Sequence, residues 1–313
     1  MLLAAFPALS LLACTSGGAV HPAGGTGAST GTGGSTGTGT DTGGAIGGDR
    51  PVDVHVPPTY TPGTALPLVM MLHGYSADAQ EEEIYLGITA QADKRGFIYA
   101  TPNGTVDKGG LRFWNASDAC CDLYGTGVDD STYLSTVITE IKARYTIDPK
   151  RVYLVGHSNG GFMSYHMACD HADQVTAIVS LAGAMPTDVT LCKPSAPVSI
   201  LEIHGTADTV IAYAGGTIPQ LGSGKVVPYP GATTSVSDWV TLDGCSATAD
   251  TTAPPLDLDS VLPGDETTVT KYDGCKPGGH AELWSIMGGS HIPNLSAAFT
   301  PDLIQFLYDH PRP

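Results

Sequence analysis

The chain has 313 residues, 42% of them hydrophobic, which is enough to build one large packed domain or two small ones. A formal net charge of −17 excludes the basic surface that nucleic-acid binding requires. Only 14% of residues are charged, and with Gly, Thr and Ser abundant the composition suits an exported protein better than a cytoplasmic one.

Residues Met1 to Ala13 form an apolar segment too short to cross a bilayer and not followed by a stop-transfer pattern. The segment ends in Leu11-Leu12-Ala13-Cys14, which resembles the lipobox of bacterial lipoproteins. That resemblance implies a lipid anchor through Cys14; the alternative is plain cleavage after a small residue. Thr15 to Asp49 is almost entirely Gly, Thr, Ser and Ala, has little to bury, and reads as a flexible linker. Residues 1–14 are therefore expected to be an export signal, 15–49 a tether, and 50–313 one catalytic domain, placed at the cell surface or secreted.

Within the folded part, Pro51 to Pro57 reads as a strand with Val52, Val54 and Val56 alternating. Leu66 to Leu72 is a continuous apolar run, the pattern of a strand buried on both faces. A helix is expected over Asp78 to Arg95, then a strand at Phe97 to Ala100 and a second helix from Asp130 to Tyr145. Val152 to Val155 is the next strand and Phe162 to Ala168 the next helix. Strands follow at Ala177 to Leu181, Val198 to His204 and Leu283 to Met287, with a closing helix at Leu303 to Tyr308. Strands alternating with helices predict an α/β fold, a doubly wound and mostly parallel sheet. In such sheets the functional loops gather beyond the carboxyl ends of the strands.

Gly156-His157-Ser158-Asn159-Gly160 sits between a buried-strand pattern and a helix, the setting of a G-x-S-x-G nucleophile elbow. A serine hydroxyl needs a base to take its proton, and the base needs a carboxylate to hold its tautomer. Asp208, in His204-Gly205-Thr206-Ala207-Asp208, and His291, in Gly288-Gly289-Ser290-His291, each follow a predicted strand in the chain order this fold uses. Ser158, Asp208 and His291 are the expected triad. His204 is expected to bond locally and shape the acid loop, and His157 to point away from the serine. Two backbone N–H groups are expected to face a developing oxyanion, those of Asn159 and of Tyr75 in Leu72-His73-Gly74-Tyr75. Trp114, Asn115 and Tyr75 are the candidates for the substrate pocket; Trp114 could instead be loop core. No cofactor is expected. No metal is expected either, since no C-x-x-C pair or matching histidine spacing occurs.

Leu72-His73-Gly74, Phe113-Trp114-Asn115 to Cys120-Cys121, Gly127-Val128-Asp129-Asp130 and the three triad segments together carry a family pattern. It resembles the secreted polyhydroxybutyrate depolymerase-like esterases, an α/β-hydrolase branch that also includes feruloyl and acetyl-xylan esterases. The resemblance spans about Arg50 to Arg312. It implies hydrolysis of a carboxylic ester through an acyl-enzyme, with a polyhydroxyalkanoate-type polyester or oligomer as the first substrate expectation. Feruloylated or acetylated plant polysaccharide is the alternative. The sequence departs from the family where His291 is followed by Ile292-Pro293-Asn294 rather than by a segment bearing an aromatic. A peptidase of the same fold and a non-catalytic binding protein on a hydrolase scaffold are the rival readings.

Apart from Cys14, the cysteines are Cys120, Cys121, Cys169, Cys192, Cys245 and Cys275, a usage that fits an oxidising compartment. In the expected topology the helix after Ser158 carries Cys169 to the edge where the strand after Cys192 begins, which favours that pair. Cys245 and Cys275 flank a Pro- and Asp-rich excursion they could staple. Cys120 and Cys121 are then a vicinal bridge or two free thiols.

Overall fold

The computed structural model describes residues 45–313. The expected export signal, Cys14 and most of the linker lie outside the described residues. Packed chain begins earlier than Arg50. Ile46 is buried in the core, the Gly47 N–H donates to Glu140 Oε2 at 2.7 Å, and the Val52 N–H donates to the Ile46 carbonyl. The physical reason is that Ile46 gives the end of the Gly-rich stretch an apolar side chain to bury, beside the segment that carries Glu140.

Chain order begins with β1 (Asp53–His55), β2 (Leu66–Leu72), α1 (Ala79–Leu86), α2 (Ile88–Arg95) and β3 (Ile98–Thr101). A two-stranded ribbon of β4 (Thr105–Val106) and β5 (Arg112–Phe113) precedes α3 (Asp130–Arg144), β6 (Ile147–His157), α4 (Asn159–Asp170) and β7 (Ala177–Leu181). After β8 (Ser199–Gly205) come the ribbon of β9 (Gly215–Pro219) and β10 (Val226–Pro230), then α5 (Ala232–Asp243). The chain ends with β11 (Thr267–Tyr272), β12 (Ala281–Ile286) and α6 (Phe299–Asp309). The main sheet has eight strands in the order β1-β3-β2-β6-β7-β8-β12-β11, parallel except for its two outermost pairs. This is the expected α/β class.

The apolar strands owe their composition to cover on both faces. Leu68, Met70 and Leu72 of β2 pack with Leu134, Ile138 and Phe162 of α3 and α4. Val69 and Met71, pointing the other way, pack with Ile88, Ala92 and Leu303 of α2 and α6. Strands β6, β7, β8 and β12 divide their side chains between the same two layers. An alternating polar face would leave one layer unsatisfied.

Three local outcomes differ from the sequence expectation. The helix expected over Asp78 to Arg95 is two helices, because Gly87 at φ 63° caps α1 with its N–H on the Glu83 carbonyl. Helix α5 was not anticipated. Its Thr, Ser and Val residues are weak helix formers, and it is held by burial of Val236, Trp239 and Val240. Strand β11 was also missed, an antiparallel edge inside the Pro- and Asp-rich excursion. The structure pairs Cys169 with Cys192 and Cys245 with Cys275, as the topology suggested, and joins Cys120 to Cys121 as the vicinal bridge.

Asp243 closes α5 in an unusual state. It is 1% exposed, and Trp239 Nε1–H donates to its Oδ2 at 3.1 Å. Burial pushes the carboxyl from 3.8 up to about 7, against the opposing pull of that indole and of Lys276. An acid harder to ionise in the folded chain binds more protons there, so stability is full below about pH 4 and is lost as pH rises through about 7. Asp243→Asn should therefore gain on the order of 3 kcal/mol relative to the native chain at pH 8 compared with pH 4. Urea unfolding at the two pH values measures this, and an unchanged difference would contradict it.

Candidate active site

Strand β6 delivers Ser158 at its carboxyl end and α4 leaves from the next residue. Ser158 stands at φ 53° and ψ −118°, a conformation costing a non-glycine residue about 1–3 kcal/mol. The turn persists because its neighbours hold it. The Ser158 N–H donates to the Leu181 carbonyl of β7 at 2.7 Å, and the Phe162 N–H donates to the Ser158 carbonyl at 3.1 Å. A β-carbon at Gly160 would collide with the Leu72 carbonyl, and one at Gly156 with the Gly160 carbonyl, so the elbow requires both glycines.

Ser158 Oγ lies 2.9 Å from His291 Nε2, and His291 Nδ1 lies 2.7 Å from Asp208 Oδ2. The structure thus brings together the three residues that the sequence placed after separate strands. Asp208 Oδ1 accepts the Val210 and Ile211 N–H groups at 2.7 and 2.9 Å, which fixes the carboxylate plane. Burial works against ionising Asp208, but the bonds from His204 and His291 outweigh it and hold the carboxyl well below the usual range.

His204 lies behind the acid. Its Nδ1 is 3.0 Å from Glu202 Oε1, while its Nε2 is 2.8 Å from the Ile211 carbonyl and 3.3 Å from Asp208 Oδ2. Burial disfavours its charge, yet Asp208 and Glu202 prevail and push its pKa up to about 10. Burial raises Glu202 as well, against the opposing pull of His204. The expected local role for His204 therefore extends to the charge of Asp208 itself.

The chain carrying Tyr75 runs against the Ser158 turn, with space at Gly74 bounded by Ser158 Cβ at 3.5 Å. His73 sets the Gly74–Tyr75 peptide. The Gly104 N–H donates to His73 Nε2 at 2.9 Å, which assigns the ring proton to Nδ1 and lets it donate to the Gly74 carbonyl at 2.8 Å. Burial lowers the His73 pKa and keeps the ring neutral. Asn159, as the first residue of α4, offers an N–H that its own helix cannot bond.

Trp114 is placed differently from its pocket expectation. It is fully buried, its indole N–H donates to the His73 carbonyl at 3.1 Å, and no surface is left for a substrate. Its backbone is braced by Asn159, whose Oδ1 accepts the Trp114 N–H at 2.7 Å while Nδ2 donates to the Trp114 carbonyl at 2.9 Å. Asn115 uses its amide to hold the Val128 carbonyl at 2.8 Å and lines a cavity of about 600 Å³ with Asp118, Tyr124 and Lys225. None of Ser158, Asp208 and His291 lines that cavity. The Tyr75 hydroxyl donates to Asp107 Oδ2 at 2.7 Å.

Glu82 is a buried partner of the site with little signal in the sequence. Its carboxylate is buried, and Oε1 lies 3.2 Å from His157 Nδ1. Elsewhere, His280, Glu282 and His310 gather with ligand atoms within 4.8 Å, a grouping invisible in the sequence spacing. Glu282 there is already engaged by Lys271, His280 and the Trp284 indole.

Residues 43–221 match the family described as putative esterase. This chain belongs to that esterase family. Among similar proteins, feruloyl esterase B of Piromyces equi is 31% identical over 245 residues, covering 77% of this chain and 42% of that protein. The bifunctional acetylxylan esterase/xylanase XynS20E of Neocallimastix patriciarum is 33% identical over 167 residues, covering 53% of this chain and 22% of that protein. The esterase-family chain thus spans less than half the length of either relative. In fold it is similar to the acetyl xylan esterase from Aspergillus awamori, with a TM-score of 0.58 at 13% identity, covering 82% of this chain and 93% of that one. The architecture is that of an α/β-hydrolase.

Replacing His204 by Leu would leave the buried carboxyls of Glu202 and Asp208 without the imidazole that now stands between them. The expected cost is about 3–5 kcal/mol in urea unfolding at pH 8. A loss under about 1 kcal/mol would show that the histidine does not neutralise the acid pair.

Proposed function

We propose that the protein hydrolyses carboxylic esters through an acyl-enzyme on Ser158, acting on feruloyl or acetyl esters of plant polysaccharide. The relay from Ser158 Oγ through His291 to Asp208, at 2.9 and 2.7 Å, carries the reading. His291 Nε2 takes the serine proton as Oγ attacks the ester carbonyl, and Asp208 stabilises the imidazolium that forms. The tetrahedral oxyanion is held by the N–H groups of Tyr75 and Asn159. His291 then protonates the leaving alcohol, and the acyl-enzyme is released by water activated in the same way.

The substrate class rests on the relatives, whose names support feruloyl and acetyl-xylan esters rather than the polyhydroxyalkanoate expected first. Three disulfides among the described residues support folding in an oxidising compartment, in keeping with export.

A fluorophosphonate probe should label the native chain once, and Ser158→Ala should abolish the label. His291→Ala should lower kcat on p-nitrophenyl acetate by about 10⁴-fold or more. Methyl ferulate and acetylated xylan should be turned over with higher kcat/KM than hydroxybutyrate oligomers. No labelling would overturn the serine mechanism, and a preference for the hydroxybutyrate oligomers would overturn the substrate class.

A further inference from the structure

Three consecutive glutamates on α1 have three different fates. Glu81 turns back to accept the Asp78 N–H and completes a capping box, and Glu83 accepts the Tyr99 hydroxyl at 2.6 Å. Glu82 faces inward with 3% exposure and touches the esterase machinery on two sides. Its Oε2 accepts the Gly74 N–H at 3.1 Å. Its Oε1 meets His157 Nδ1 at 3.2 Å, an ion-pair contact rather than a well-aligned hydrogen bond. His157 Nε2 in turn lies 3.1 Å from the carbonyl of His291.

A buried carboxylate is retained only with compensation, and here the compensation is a histidine whose two nitrogens both face acceptors. Burial opposes charge on His157, but Glu82 and the His291 carbonyl prevail and raise its pKa. The ring faces the backbone carbonyl of His291 with Nε2, which donates its N–H there, and faces Glu82 with Nδ1. The His157 and His291 rings are 5.2 Å apart, and Tyr85 closes the other side at 5.4 Å.

We propose that Glu82 and His157 form a positioning clamp that ties Gly74, the Ser158 elbow and the His291 loop into one register. The proposal rests on the esterase reading for its catalytic consequence, though the mechanical tie does not depend on turnover. Neither residue touches the reacting atoms. Gly74 is gripped on both sides, by Glu82 through its N–H in the His73–Gly74 peptide and by His73 through its carbonyl, and the carbonyl bond fixes where the Tyr75 N–H points. The His291 loop is gripped through its carbonyl, which leaves both ring nitrogens to Ser158 and Asp208.

The test compares His157→Leu, which removes both contacts, with His157→Gln, whose amide can still donate to the His291 carbonyl. His157→Leu should lower kcat on p-nitrophenyl acetate about 100-fold with KM within about threefold, and His157→Gln should recover most of that loss. Hydrogen–deuterium exchange should speed up in the Leu variant in peptides covering 73–77 and 289–294 together, with the central sheet unchanged. Native-like kcat in the Leu variant, or exchange rising across the whole sheet with no recovery by Gln, would overturn the clamp. If the native chain turns over no ester, the esterase reading fails while the exchange result still decides the clamp. If His157→Leu does not fold, Glu82→Gln, expected to lose about tenfold in kcat with the same two peptides loosened, decides by the same criteria.

Discussion

Ser158 occupies backbone space that an L-residue enters only when its surroundings leave no alternative, and much of the fold supplies those surroundings. The Leu181 carbonyl at the end of β7 takes its N–H, which requires β7 to end level with β6. The Leu72 carbonyl at the end of β2 lies where a Gly160 side chain would go, so β2, β6 and α4 can approach this closely only at glycine. Side chains on both faces of the sheet then hold β2, β6 and β7 in that register. The strain at one residue is thus offset by burial spread over many.

The second theme is how charge is kept in a buried site. Asp208 is the acid of the proposed triad and is not isolated, since the Glu202–His204 pair lies directly behind it. On the other side Glu82 and His157 form a second buried pair beneath the elbow and the His291 loop. Each pair places a histidine between a buried glutamate and the working residues. The low-dielectric surroundings that make an unpaired charge costly also strengthen these contacts, so the pairs give stiffness along with neutrality. Trp114 and Asn159 add an uncharged brace, each supplying the other's backbone or amide partner.

Much of this is legible in the sequence because it follows from local pattern. Leu66–Leu72 and Ala177–Leu181 are legible to the residue, since a short apolar run bounded by polar residues is stable only as a strand covered on both faces. Ser158, Asp208 and His291 are readable because strand ends, glycines and chain order all point to the same positions. Residues whose role depends on distant packing are not. Helix α5 carries no strong propensity, and Trp114 looks like a pocket wall because nothing in Phe113-Trp114-Asn115 shows that its indole reaches the His73 carbonyl. Glu82 sits between two other glutamates, and only its helical spacing from buried Leu86 hints that it faces inward. The His157 contact with the His291 carbonyl spans 134 positions and has no sequence signature.

The central claim is that Ser158 becomes transiently acylated. Rapid acid quench during turnover of a p-nitrophenyl ester, followed by peptide mass mapping, tests this most directly. A burst of nitrophenol equal to the enzyme concentration is expected, with an acyl adduct on the peptide that contains Ser158. A linear time course with the Ser158 peptide unmodified, or an adduct on another residue, would contradict it.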